Sequence, residues 1–426
     1  MKRIFRVLIL LFIIILFIFL FNFFINKESN NTEIRQTSSN EEKIAQEEIK
    51  PDVTFTLTAI GDIMCHNTQY WDAYQKETDT YDFSYVFENV KDYIAAGDVS
   101  IANIETSFAG KERGYSNYPV FNSPDELARD VKATGLDIIT TAGNHCLDMG
   151  YSGLSRTIDV LKNNGIEQLG TYKSQEERDT IFIKDVKGIK IAFIDYTYGT
   201  NGIPVPSGKE YCVNLIDKNL IKKDIESAKS QNVDMIVACM HWGDEYKTKA
   251  NKEQEDLADF LFKNGVNVII GNHPHVLEQM EKRTVTLEDG TTQDGFVIFA
   301  CGNFICDQNA ENTRNSIILN LDITRHSDGK VTVDKANYIP IYMYKGAPGK
   351  LRRMKVLDIE KSIANYENGT DTSIGQSTYN DLKAQLEKEG YKNVLYRLML
   401  EEIANLEKIE ITEEEANAQA EELATK

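Results

Sequence analysis

The sequence predicts an α/β fold, and two observations carry that reading. Short apolar runs recur through the middle of the chain, and nearly every one ends in Gly, Asn, Asp, Glu or His. Between them lie stretches with apolar residues at helical spacing. Strands alternating with helices imply a largely parallel sheet, in which ligands gather beyond the carboxyl ends of the strands. The 426 residues are 42% hydrophobic and 27% charged, enough to bury a sizeable core and too apolar for disorder. A net charge of -19 argues against sequence-independent binding to nucleic acid or anionic lipid, which needs a basic surface. An acidic domain acting on an anionic substrate needs local positive charge, and bound metal ions are one source.

Taken in order, residues 1–6 hold Lys2, Arg3 and Arg6 and no acid, and read as a cytoplasmic tail. Val7–Phe21 is unbroken apolar sequence, and Phe23, Phe24 and Ile25 extend it to 19 residues past Asn22. That is close to the roughly 20 that cross a bilayer as helix. The basic residues before it put the N-terminus in the cytoplasm and the rest outside. A cleaved signal peptide would be shorter and end in an A-x-A site, which is missing after Ile25, so an uncleaved single-pass anchor (7–25) in the cell membrane is expected. Asn26–Lys50 is polar without apolar period, so 26–53 reads as a solvated linker.

The main domain is placed at 54–344. Thr54–Ile60 alternates with period two and stops at Gly61-Asp62. The pattern recurs at Val99–Ala102, Ile138–Ala142, Met235–Met240, Val266–Ile270 and Phe296–Ala300. Helical spacing marks Ser152–Asn163, through Leu154, Ile158 and Leu161, and a segment around Leu257 and Leu261 that ends before Asn264-Gly265. Beyond Tyr344 the texture becomes charged and helical, then very acidic, and 345–426 reads as a solvated helical region. Six cysteines allow fifteen disulfide connectivities, but Cys239 and Cys301 lie in strand-like runs, and mostly free thiols are expected.

Five of the six histidines, His66, His145, His241, His273 and His275, follow these strand ends, and only His326 lies elsewhere. Separate packing roles explain such a set poorly, whereas a metal or catalytic centre explains it directly. His273-Pro274-His275 would present two imidazoles on one face if the backbone is extended. Asp62 and His66 can meet across one tight turn, Glu105 adds a carboxylate and Asn144 an amide oxygen. Imidazoles with carboxylates suit Zn, Fe, Mn or Ni, and the donors exceed what one four-coordinate ion needs. Seven ligands with one shared carboxylate fit two divalent ions about 3.5–4 Å apart.

Six blocks carry a resemblance: Gly61-Asp62-x3-His66, Asn103-x-Glu105, Gly143-Asn144-His145-x2-Asp148-x-Gly150, His241-Trp242-Gly243-x-Glu245-Tyr246, Gly271-x-His273-Pro274-His275-Val276 and Gly302-Asn303-Phe304. In this order they resemble the CapA-type, poly-gamma-glutamate capsule synthesis branch of the calcineurin-like metallophosphoesterases. The resemblance implies a β-sandwich flanked by helices, a membrane anchor, and a membrane synthase or export complex handling an anionic capsule polymer as partners. It implies Asp62, His66 and His275 as ligands of one ion and Asn144, His241 and His273 of the other. Glu105 stands where the wider superfamily has a bridging Asp, and His145 where it has a histidine that protonates the leaving oxygen. Two Mn, Fe or Zn ions are the implied cofactors. Cys146 stands where the superfamily has an acid after that histidine, which leaves Asp148 either to orient His145 or only to close a turn. Asn103, Trp242, Glu245, Tyr246 and Asn303 are the candidate substrate-binding residues, with Trp242 and Tyr246 either a substrate wall or a packed rim. Two functions follow: a metal-dependent hydrolase of a phosphoester or amide bond, or a non-catalytic metal-binding assembly or transport subunit of the synthase.

Overall fold

The computed structural model describes residues 51–287, 290–346 and 353–386. The expected anchor at 7–25, the linker up to residue 50 and the acidic tail beyond Leu386 lie outside the described residues. Among the described residues, no helix is long and apolar enough to cross a membrane.

Two sheets pack face to face. In the first, strand Val53–Ile63 lies at the centre, parallel to Val99–Ile104, which is followed outward by Ile138–Thr140 and Glu167–Leu169. Its other flank is antiparallel, through Asn315–Arg325, Val331–Tyr344 and Lys355–Asp358. The second sheet runs parallel through Ile189–Thr197, Met235–His241, Val268–Asn272 and Thr292–Ile298, with antiparallel edges at Phe182–Val186 and Met280–Thr286. Both sheets are therefore mixed, where a largely parallel sheet was expected. The antiparallel strands lie at the flanks, away from the strands that bear the histidines.

Strand alternation explains the layering, because successive side chains face opposite sides. Phe55, Leu57 and Ala59 point into the core between the sheets, where they meet Ile191, Phe193, Val237, Cys239 and Ile270 of the other sheet. Ile60 and Ile63 face the outer layer of the first sheet, with Leu127, Val131 and Leu161 from helices. In the second sheet Ile236, Ala238 and Met240 turn outward onto Ile221, Ile225, Leu257 and Leu261 of helices Lys218–Ser230 and Lys252–Lys263. The latter helix opens on an Asn251–Gln254 capping box and closes at Asn264-Gly265, the stop seen in the sequence. The sheet continues past Tyr344: Lys355–Asp358 pairs with Val331–Tyr344, and Ile359 and Leu382 of the helices that follow are buried in the core between the sheets. All six cysteines are free thiols.

Gly61 fixes where the first carboxylate lands. Its strand passes so close to Gly302 that a Cβ would sit 1.8 Å from the Gly302 carbonyl oxygen, and Asp62 N–H donates to that oxygen at 3.0 Å. Gly61→Ala should destabilise the fold by roughly 3 kcal/mol or more, since backbone would have to move. The urea midpoint checks this, and metal binding should weaken with it because Asp62 is displaced.

Candidate metal centre

The site lies across one end of both sheets. Asp62 ends the central strand of the first sheet, Glu105 follows Val99–Ile104, and Asn144 and His145 follow Ile138–Thr140. His241 ends a strand of the second sheet, and His273 and His275 follow its neighbour, in register with it as His241 pairs with Asn272. Hydrogen bonds join the two sheets here, among them the His273 N–H, which donates to Asp62 Oδ2 at 3.3 Å.

Glu105 is the centre of this geometry. It is 1% exposed, and neither carboxylate oxygen has a hydrogen-bond partner. Its Oε1 lies 3.8 Å from His275 Nε2, 3.9 Å from His241 Nε2 and 3.9 Å from His145 Nε2. These distances are too long for hydrogen bonds, and they suit donors that share an ion at bond lengths of about 2.0–2.2 Å. Three groups of potential ligand atoms, each within 4.8 Å of one another, cluster here: Asp62, Glu105 and His275; Glu105, His241 and His273; Glu245, His273 and His275. His273 Nδ1 is buried and also unpartnered. Orphaned oxygens and an orphaned imidazole nitrogen, buried together, fit divalent metal ions.

The electrostatics divide the set into rings that are neutral without an ion and one, His275, whose proton an incoming ion would have to displace. Burial pushes Glu105 up to about 8, against the pull of His275. In His275 burial works downward, but Glu105 and Asp62 outweigh it and hold the ring up to about 9. Burial lowers His273 to about 3 and His66 to about 4, and takes His241 well below the ordinary range. Those three rings stay neutral, as metal ligation requires. His145 differs. Burial pulls it down, yet its bond to Asp148 and the charge of Glu105 leave it above the usual histidine value.

The surrounding polar groups orient the set. Asn144 Oδ1 contacts His241 Nε2 at 2.8 Å. Asn103 donates to Asp62 Oδ1 at 2.7 Å and accepts from the Thr140 hydroxyl at 3.1 Å, so it aims Asp62. Asn303 Oδ1 meets His275 Nδ1 at 3.0 Å, while its amide hydrogens go to Gln308 and the Thr313 carbonyl. Asp148 Oδ2 lies 2.8 Å from His145 Nδ1, and the same oxygen accepts the Phe121 N–H at 2.7 Å. It therefore orients His145 and ties that loop to the segment at Phe121. His66 joins none of the three groups among the described residues; its Nδ1 faces Gln69 Oε1 at 3.2 Å and the Asp307 N–H at 3.1 Å.

Two expectations need correction. Trp242 is no part of a substrate wall: it is 2% exposed, packs in the outer core of the second sheet and donates to the Phe299 carbonyl at 2.9 Å. Just past the end of its strand, it turns away from the site that its neighbour His241 faces. The His273–His275 pair does not converge through extended backbone either. Their φ angles are +99° and +63°, so the chain turns tightly around Pro274, with ring centroids 5.9 Å apart. Non-glycine residues in that region carry strain of about 1–3 kcal/mol each, which persists where surroundings over-determine it.

Three residues escaped sequence reasoning, all at or after the end of strand Ile189–Thr197. Asp195 is buried and accepts the N–H groups of Thr141 and Ala142 at 3.1 and 2.9 Å, which sets the loop leading to Asn144. Tyr198 lies 4.5 Å from the His273 ring. Asn201 accepts from Asn144 Nδ2 at 3.1 Å and places its own amide nitrogen 3.3 Å from His145 Nε2. The signal was a further apolar run with a polar end, Asp195-Tyr-Thr197, that lacks a histidine.

Comparison with known proteins supplies the context. A model of the family described as "Bacterial capsule synthesis protein PGA_cap" matches residues 56–308. A second, for the C-terminus of bacterial trigger factor protein, matches residues 359–426. The capsule biosynthesis protein CapA of Bacillus anthracis is 25% identical over 317 residues, covering 72% of this chain and 72% of that one. The PGA biosynthesis protein CapA of Bacillus subtilis is 24% identical over 312 residues, covering 71% and 75%. Among solved structures, the NAD nucleotidase of Haemophilus influenzae has a TM-score of 0.43 at 14% identity, covering 80% of this chain and 61% of that one, so less than two thirds of its length is spanned. A calcineurin-like phosphoesterase from Bacillus subtilis has a TM-score of 0.39 at 14% identity, covering 78% of this chain and 100% of that one. With more than half of its length matched, the chain belongs to the bacterial capsule synthesis protein PGA_cap family.

Proposed function

We propose that this chain is a membrane-anchored, outward-facing protein of capsule polymer biosynthesis or export, of the poly-gamma-glutamate type, with a dinuclear metal hydrolase site. The observation that carries the hydrolase reading is the buried Glu105 carboxylate, unpartnered among three imidazoles. Asp62 and His275 would hold one divalent ion, Asn144, His241 and His273 the other, with Glu105 shared; His66, expected beside Asp62, would have to reach the first ion through Nε2, since its Nδ1 faces Gln69 and the Asp307 N–H. Bound there, Mn, Fe or Zn ions supply Lewis acidity at a phosphoryl or carbonyl oxygen and offset the negative charge that develops in the transition state.

The chain's own residues do the rest. Asp148 takes the Nδ1 hydrogen bond of His145, which fixes the ring and leaves Nε2 on the side of Glu105. A proton held at His145 Nε2 can pass to a leaving oxygen or nitrogen above the centre. Asn103 and Asn303 keep Asp62 and His275 from rotating out of reach. The polymer-making or exporting membrane complex is the proposed partner, because the relatives' names place them in capsule and PGA biosynthesis.

The test is metal-dependent turnover by the purified full chain. A chelator should abolish hydrolysis of phosphoester or gamma-glutamyl probes, and Mn, Fe or Zn should restore it. Turnover of neither bond class with any of these ions would remove the hydrolase reading. The topology has its own test. Protease added to cells stripped of their wall should cut between residues 26 and 50, and a chain fully protected from it would overturn the orientation.

A further inference from the structure

The loop after strand Ile189–Thr197 reaches from the second sheet across to Asn144 of the first. It leaves in register with the site, because Thr197 pairs with His241 and the Tyr198 N–H donates to the His241 carbonyl at 3.0 Å. A tight turn then closes on itself. The Ile203 N–H donates to the Thr200 carbonyl at 2.9 Å, and the Thr200 hydroxyl donates to the Ile203 carbonyl at 2.6 Å. Asn201 stands in that turn with a φ of +50°, a left-handed conformation that asparagine tolerates better than most residues. Ile203 and Val205 anchor the far side of the loop against the cluster of Leu147, Leu154 and Ile158.

Asn201 is exposed, yet both ends of its amide are in use. Its Oδ1 accepts from Asn144 Nδ2 at 3.1 Å. Its Nδ2 lies 3.3 and 3.4 Å from the two ring nitrogens of His145, so it rests against the ring and not on a single lone pair. The Tyr198 hydroxyl also receives Asn144, a bond that works against the effect of burial there. The ends of the Asn144 amide have opposite uses. Its oxygen has lone pairs for an ion, and its nitrogen offers only hydrogens, which an ion repels. Asn144 Oδ1 lies 2.8 Å from His241 Nε2. A neutral imidazole nitrogen can donate to an amide oxygen or accept from an amide nitrogen, so His241 by itself admits either orientation. Asn201 Oδ1 can only accept, and it takes the nitrogen end.

We propose that Asn201 is a positioning residue for one ion only: it holds the Asn144 amide with its oxygen toward His241, and so sets the affinity of the ion assigned to Asn144, His241 and His273 but not of the ion beside Asp62 and His275. Groups that orient a metal ligand without touching the metal typically change affinity by about 10–100-fold when removed. The effect on the ions rests on the dinuclear reading. The effect on Asn144 rests on the hydrogen bond alone.

The experiment separates the two. It uses the full chain with Asn201→Gly, which keeps the left-handed backbone and removes the amide, and with Asn201→Asp, which keeps an acceptor in place. Calorimetric titration of the metal-free chain with Mn should show one of two equivalents weakened about 10–100-fold in Asn201→Gly. Asn201→Asp should keep both at parental affinity or tighter. In an Asn144→Ala background Asn201→Gly should change nothing further, because its effect runs through the Asn144 amide. The Asn144 side-chain NH2 signal of the metal-free chain, identified by its loss in Asn144→Ala, should move upfield in Asn201→Gly but not in Asn201→Asp. Parental affinity for both ions in Asn201→Gly, equal weakening of both, the same loss in Asn201→Asp, a further loss in the Asn144→Ala background, or an unmoved amide signal would each overturn the assignment. A parent chain that takes up fewer than two ions would remove the dinuclear reading instead, while the amide signal, which needs no metal, still decides whether Asn201 holds Asn144.

Discussion

Replacing Glu105 with Gln should sharply reduce metal binding and, in the same variant, raise the stability of the metal-free fold. The two effects have one cause. Glu105 is buried without a hydrogen bond to either oxygen, so its charge has no protein donor to replace water. Its value of about 8 lies above the ordinary 4.5. A carboxyl raised on folding costs nothing below its unfolded value, costs more as pH rises from about 4.5 to about 8, and levels off above. The gain in Glu105→Gln is offset in part by the carboxylate that a protonated His275 loses, so it should be small at pH 5 and at most on the order of 1–3 kcal/mol at pH 8. With saturating metal the order reverses. Ions bound only by the folded state add about 2.7 kcal/mol at a hundred times their dissociation constant, and the variant loses that. Thermal melts with and without chelator, at both pH values, read the two signs. A metal-free variant that melts below the parent would make Glu105 an ordinary structural residue.

His145→Asn should behave in the opposite way, keeping metal while losing rate. His145 stands 3.9 Å from Glu105 and is held by Asp148 at 2.8 Å, yet it belongs to none of the three convergent ligand groups. Removing a general acid typically lowers rate by about 10²–10⁴, and the loss should shrink for leaving groups that need no proton. Elemental analysis should give the parental metal content, while turnover falls steeply for an alkyl ester and little for an activated aryl ester. Asp148→Asn should fall between, because the ring keeps its place but loses the charge that supports its proton. Full capsule production by a cell carrying His145→Asn would favour the assembly role over the enzymatic one.

The parts of the site readable in the sequence were those whose chemistry repeats. Asp62, Glu105, Asn144, His241 and His273 each follow an apolar run, and a strand pointing its carboxyl end at a common face brings such residues together by topology alone. What stayed hidden depended on local backbone or on a missing histidine. Nothing in His273-Pro274-His275 announces φ angles of +99° and +63°, since only glycine and asparagine advertise that region. Asp195, Tyr198 and Asn201 sit at or after the end of a strand that carries no histidine, so the pattern that found the others passed over them. Trp242 shows the limit of adjacency: next to His241 in sequence and just past the end of its strand, it packs into the outer core instead. The mixed character of the sheets was also invisible, because an antiparallel flank such as Asn315–Arg325 has the same alternation as a parallel strand.

The central claim is that Glu105 lies between two metal ions, and anomalous diffraction from crystals grown with Mn, Fe or Zn measures it most directly. The account predicts two peaks about 3.5–4 Å apart, one beside Asp62 and His275 and one beside His241 and His273, with Glu105 touching both. A single ion away from Glu105, or no ion at this end of the sheets in a protein saturated with metal, would contradict it.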